Sequence, residues 1–131
     1  MLLDTSGLLC CHHRDERQHE QALRLYNSAQ TLVTHSYVIA EFIPLCHSRG
    51  MSKSLAIQFV YDILNDPRME MVWVGEELTY AALALLRART DKAYSLCDAV
   101  SFVLMRARGI FEALTTDMHF EQEGFIRLLK P

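Results

Sequence analysis

Four acidic residues, Asp4, Glu41, Asp98 and Asp117, stand out in this 131-residue chain because of where they fall. Asp4 follows the apolar triplet Met1-Leu2-Leu3, and Asp117 follows an apolar run that ends at Leu114-Thr115. Glu41 lies between Val38 and Leu45 on an apolar helical stripe, and Asp98 has Phe102 and Met105 four and seven residues on. At these spacings both helix acids are expected to point inward, where an uncompensated carboxylate is costly. A set of oxygen ligands without His or Cys suits a hard cation, Mg2+ or Mn2+. Such ions serve in-line hydrolysis of a phosphodiester by generating hydroxide and stabilising the attacking and leaving oxygens. Four carboxylates without an ion would repel one another and repel phosphate, so metal dependence follows from the grouping.

Each acid also has a local explanation. Asp4 suits the cap of a following helix, and Asp98, three residues after Ser95, suits a capping box. Asp117 in Thr-Thr-Asp-Met suits an Asx turn. Glu41 has no such role, because the middle of a helix offers none. Singly the local readings are adequate; together, two acids at strand ends and two on inward helix faces point to a site.

The elements that must position these acids alternate along the chain. Met1–Leu3 is too uniformly apolar for a half-exposed strand and reads as one buried on both faces. Asp4-Thr5-Ser6-Gly7 supplies turn and cap chemistry, and a polar helical stretch extends to about Asn27. Strands are expected at Thr31–Thr34, Met69–Val74, Phe111–Thr115 and Phe125–Leu129. Helices are expected over Ser36–Arg49, Ser52–Asn65, Glu76–Arg89 and Ser95–Arg108, with Gly50, Pro67 and Gly109 as stops. Alternation of this kind predicts an α/β fold, a mostly parallel sheet with helices on both faces. In such sheets the functional crevice lies outside the carboxyl ends of the strands, where Asp4 and Asp117 fall.

No linker, repeat or low-complexity segment divides residues 1–131, so one domain is expected. Half the residues are apolar and 22% are charged, the profile of an ordinary globule. No apolar run is long enough to span a membrane, and Asp4 breaks the opening run too early for a secretory leader. A cytoplasmic protein is expected. Cys10, Cys11, Cys46 and Cys97 lack metal-ligand spacing and read as small buried hydrophobes. The net charge of −3 argues against binding by a broad basic surface, although setting the four acids aside leaves the rest of the chain slightly positive.

The motifs Leu3-Asp4-Thr5-Ser6, Glu41 in the helix after the second strand, Ser95-Leu96-Cys97-Asp98-Ala99 and Leu114-Thr115-Thr116-Asp117-Met118-His119-Phe120 resemble the four motifs of PIN domains. Within that family they are most similar to the VapC-type toxins of bacterial toxin–antitoxin pairs, across essentially the whole chain and in the same order. The resemblance implies a three-layer α/β/α sandwich and an endoribonuclease dependent on Mg2+ or Mn2+. It also implies a small antitoxin partner and a homodimer. Asp4, Glu41, Asp98 and Asp117 become the metal-binding acids, with Thr5 or Ser6 and Thr115 orienting their carboxylates.

Several other residues take plainer readings. Asp91 reads as an exposed loop acid, and His119, in an aromatic turn, as a packing residue in preference to a substrate contact. Arg14, Arg17, Arg24, Arg49 and Lys53 are candidates for phosphate contacts or simply for solvated helix faces. The stripe Leu55–Leu64 suits either a partner helix or the chain's own core. Rival functions are weaker. A receiver-like phosphoacceptor domain needs a lysine after a late strand, where this chain has Thr115-Thr116-Asp117, and leaves Glu41 without a task. A flap nuclease needs longer insertions. A housekeeping PIN ribonuclease, or a silent PIN-like module that only binds RNA or protein, remains the alternative within the family.

Overall fold

The apolar opening of the chain becomes the middle of a sheet. In the computed structural model, which describes residues 1–131, β1 (Leu2–Leu3) lies between β2 (Leu32–His35) and β4 (Glu112–Leu114). Strands β3 (Met69–Val72) and β5 (Ile126–Arg127) form the edges, giving the order β3-β2-β1-β4-β5. Every pairing is parallel, so the connections cross over the faces and the helices supply them. Leu2 and Leu3 are both fully buried, as a strand covered on both sides requires.

The pleat sends successive side chains to opposite faces. Leu3, Leu32 and Leu114 pack with Leu8 of α1 (Thr5–His12), Ala22 of α2 (His19–Ser28), Phe42 of α3 (Ser36–Ser48) and Ile63 of α4 (Lys53–Leu64). Leu2, Val33 and Ala113 face the other way, against Phe102 and Met105 of α6 (Leu96–Arg108) and Phe120 of α7 (His119–Gln122). Helix α5 (Glu76–Ala88) joins this second layer through Ala82, which packs on Ala99 and Val100. The expected three-layer α/β/α sandwich is therefore present. No helix is long and apolar enough to cross a membrane, and all four cysteines are free and buried.

The differences from expectation are local. The first helical stretch is two helices: α1 buries nearly every residue, while α2 buries only Ala22. Turns over residues 13–18 separate the two. Strand β3 stops at Val72: Trp73 is exposed, and the Val74 amide donates to Ser36 Oγ at 2.9 Å. Helix α7 was not anticipated; it forms a single turn after Asp117. In α4, Ala56, Val60 and Ile63 are core while Leu55 and Tyr61 remain exposed.

Candidate active site

Parallel register brings the first and last acids together. Leu3 is paired with Leu114, so the residues that follow, Asp4 and Thr115, leave adjacent strands side by side. The Asp4 amide donates to the Leu114 carbonyl at 3.2 Å. Helix α1 then passes so close to β4 that a Cβ on Gly7 would lie 1.9 Å from the Leu114 carbonyl oxygen. Only glycine permits this approach, and the approach sets Ser6 Oγ 3.1 Å from Thr115 Oγ1.

These hydroxyls, with that of Thr5, hydrogen-bond to two of the carboxylates. Thr115 Oγ1 donates to Asp4 Oδ2 at 2.8 Å and accepts from the Asp117 amide at 3.0 Å. Ser6 Oγ lies 3.3 Å from the same Asp4 oxygen and accepts from the Thr116 amide at 3.0 Å. Thr5 Oγ1 donates to Glu41 Oε2 at 3.2 Å. Asp4 occupies the N-cap position of α1, yet its side chain makes no capping bond. Its local explanation therefore fails, and its carboxylate is committed to the hydroxyls around the groove.

Asp98 and Asp117 serve local and shared purposes at once. Asp98 Oδ2 accepts from the Ser95 amide at 3.0 Å, completing the capping box of α6. Asp117 Oδ1 accepts from the His119 amide at 2.8 Å, the expected Asx turn. All four acids nevertheless line one open groove of about 660 Å3, walled in part by Pro44 and Leu45.

Glu41 departs from expectation. It is exposed, and the buried stripe of α3 is Val38, Phe42 and Cys46. An i, i+4, i+8 stripe leaves position 41 at its margin, from which Glu41 reaches the groove and Thr5 instead of entering the core. His119 also departs from expectation, because it is a groove residue and not only a packing one. Its Nδ1 lies 3.0 Å from Asp98 Oδ2 and 3.4 Å from Asp117 Oδ1, while the ring meets Tyr94 edge-on at 5.3 Å. Its position two residues after Asp117, inside the Asx turn, was the available signal. Asp91 stays outside the groove, exposed beside Lys92.

The electrostatics of the groove are one-sided. No Lys or Arg forms an ion pair with any of the four acids; His119 is the sole basic neighbour, at Asp98 and Asp117. Asp4 is pushed up to about 7, first by burial and then by the charges of Asp98 and Asp117, against the lowering effect of the Thr115 hydroxyl. Burial, with the charges of Glu41, Asp4 and Asp98, raises the Cys97 thiol as well, so it behaves as an inert hydrophobe. Carboxylates converging without cations fit a divalent metal ion. Asp98, Asp117 and His119 come nearest to a ready ligand set, with donor atoms all within 4.8 Å of one another. Among the candidate phosphate contacts, Arg49 is engaged by Glu16, whereas Arg14, Arg17, Arg24 and Lys53 are exposed and make no ion pair.

Comparison with known proteins agrees with this architecture. A 23S rRNA-specific endonuclease, VapC20 of Mycobacterium tuberculosis, is 27% identical over 129 residues, covering 98% of this chain and 97% of the relative; it appears from two strains. The crystal structure of M. tuberculosis VapC20, described as a Sarcin-Ricin loop cleaving toxin, superposes with a TM-score of 0.86 at 26% identity. That match covers 99% of this chain and 98% of that one. The PIN domain family model matches residues 1–125, which include all four acids and the whole hydroxyl network around them. With its parallel sheet and its acids in the order of the motifs read from the sequence, the chain belongs to the PIN domain family.

Proposed function

We propose that this chain is a divalent-metal-dependent endoribonuclease and the toxin of a toxin–antitoxin pair. The carrying observation is the convergence of Asp4, Glu41, Asp98 and Asp117 on one groove without a Lys or Arg partner. Support for RNA as substrate comes from the likeness, over nearly the full length of both chains, to a relative named as a 23S rRNA-specific endonuclease. Large-subunit ribosomal RNA is accordingly the first substrate to test.

Mg2+ or Mn2+, when bound, supplies Lewis acidity and a water acidic enough to ionise near neutral pH. The rest is positioning by the chain. Thr115 and Ser6 hold the Asp4 carboxylate, Thr5 holds that of Glu41, and the α6 capping box holds Asp98. Two carboxylates from strand ends and two from helices are thus the groups that would hold the ion beside a substrate phosphate. Arg14, Arg17, Arg24 and Lys53 are the cations available for the RNA backbone. In this reading the protein acts in the cytoplasm as a homodimer, and a small antitoxin restrains it by covering the groove.

The test is direct. Purified chain free of any partner is expected to cut RNA with Mg2+ or Mn2+, and EDTA or Asp98→Asn is expected to abolish cleavage. Cutting that survives either treatment sinks the metal mechanism. Sequencing of RNA ends after induction identifies the target. Co-purification of a small protein encoded beside the gene supports the antitoxin, and harmless expression with no such neighbour reduces the reading to a housekeeping ribonuclease.

A further inference from the structure

His119 has a geometry that the four-acid reading leaves unused. Its Nδ1 sits between two carboxylates from different elements, 3.0 Å from Asp98 Oδ2 on α6 and 3.4 Å from Asp117 Oδ1 after β4. Around an octahedral ion with bonds of about 2.1 Å, neighbouring ligand atoms stand about 3 Å apart. The spacing on both sides of Nδ1 is close to that value. The ring is also held in place without an ion, by the bond from its own amide to Asp117 Oδ1 and by the edge of Tyr94. A pre-positioned imidazole beside two carboxylates is a mixed nitrogen and oxygen ligand set. Mg2+ takes oxygen ligands and sheds water reluctantly; imidazole suits the later first-row ions best, and Mn2+, at the weak end of that series, still accepts a nitrogen donor more readily than Mg2+ does.

We infer that His119 Nδ1 is a metal donor alongside Asp98 and Asp117, and that it biases the site toward Mn2+ over Mg2+. This rests on the reading of those acids as metal ligands. The neutral imidazole carries its proton on Nε2 in the ligating form and leaves Nδ1 free for the ion. Without an ion, Nδ1–H donates to Asp98.

Mn2+ alone serves as the probe. Pulsed electron paramagnetic resonance on the wild-type chain is expected to detect a nitrogen directly bonded to Mn2+, and His119→Phe, which retains an aromatic ring against Tyr94, is expected to lose it. Titration calorimetry on the same pair is expected to show Mn2+ affinity falling about tenfold in the variant while Mg2+ affinity changes less than about twofold. Mn2+ bound to the wild type without a nitrogen coupling overturns the inference, and needs no variant to fold. So does equal weakening of both ions in His119→Phe, which assigns His119 to positioning Asp98. If the wild type binds no Mn2+, or if Asp98→Asn leaves Mn2+ binding untouched, the metal reading of the acids fails as well.

Discussion

Asp4 and Glu123 are nearly equally buried, 5% and 8% exposed, yet their surroundings are opposite. Glu123, at the end of α7, is clamped by Arg89 at 3.0 Å and by Arg106 at 2.6 Å, and Arg106 also lies over the Phe125 ring. Burial pushes Glu123 up, but the two guanidinium groups outweigh it and hold it below its ordinary value. Asp4 meets hydroxyls, the Thr5 backbone and other acids but no cation, and burial carries it up to about 7. A structural acid in this protein arrives with its cations. The acid in the groove does not, which leaves room for a cation from outside.

The contrast can be broken most forcefully at Asp4. Asp4→Asn is expected to lower cleavage at least about a hundredfold and to raise the melting temperature of the metal-free protein, because a neutral amide replaces a desolvated carboxylate. If the variant instead melts lower, Asp4 is structural and the contrast collapses. Thr115→Val, nearly isosteric, removes the donor to Asp4 and the acceptor for the Asp117 amide. Cleavage and Mn2+ affinity measured together are expected to fall about tenfold to a hundredfold.

Glu123→Gln should behave in the reverse sense. Thermal melting is expected to show a loss of about 1–2 kcal/mol, kept small because both arginines are partly exposed. Metal-dependent cleavage, assayed well below the melting temperature, should remain within severalfold of wild type.

The pH dependence of metal-free stability tests the same contrast without any loss of activity being read. Between its ordinary value of 3.8 and about 7, native Asp4 holds a proton that the unfolded chain has released. Stability from this group therefore falls as pH rises, by at most about 1.4 kcal/mol per unit, and levels off above about pH 7. His35 acts in the opposite direction. Buried against Ser101 and held at about 4 by burial, it stays neutral where the unfolded chain takes up a proton below 6.5, so its contribution rises with pH over that range. Melting curves of wild type and Asp4→Asn from pH 4.5 to 8 separate the two. Their difference should shrink as pH falls and stay constant above about pH 7, and a flat difference throughout refutes the account of Asp4.

Much of the fold was legible because burial on both faces leaves a mark in sequence. Met1–Leu3 has no polar residue to offer solvent, and strand–helix alternation forces crossovers and a parallel sheet. Helix stops were legible for the same kind of reason: Gly50 and Gly109 take positive φ after α3 and α6. Less legible were features set by packing geometry. The split between α1 and α2 falls at turns over residues 13–18, which the local polarity between His13 and Gln18 signals only weakly. Gly7 reads as turn chemistry, but its actual constraint is the Leu114 carbonyl, more than a hundred residues away.

The four acids show the same division. Their identity, their order and their neighbouring hydroxyls were set by the sequence alone. That Asp4 does not cap α1, that Glu41 stands at the margin of its stripe, that His119 joins Asp98 and Asp117 and that Arg49 is taken by Glu16 were decided only in three dimensions. The physical reason is register. Pairing Leu3 with Leu114 places Asp4 beside Thr115, and a helix has to approach a strand at backbone contact before hydroxyls and carboxylates so distant in sequence can share a proton or an ion.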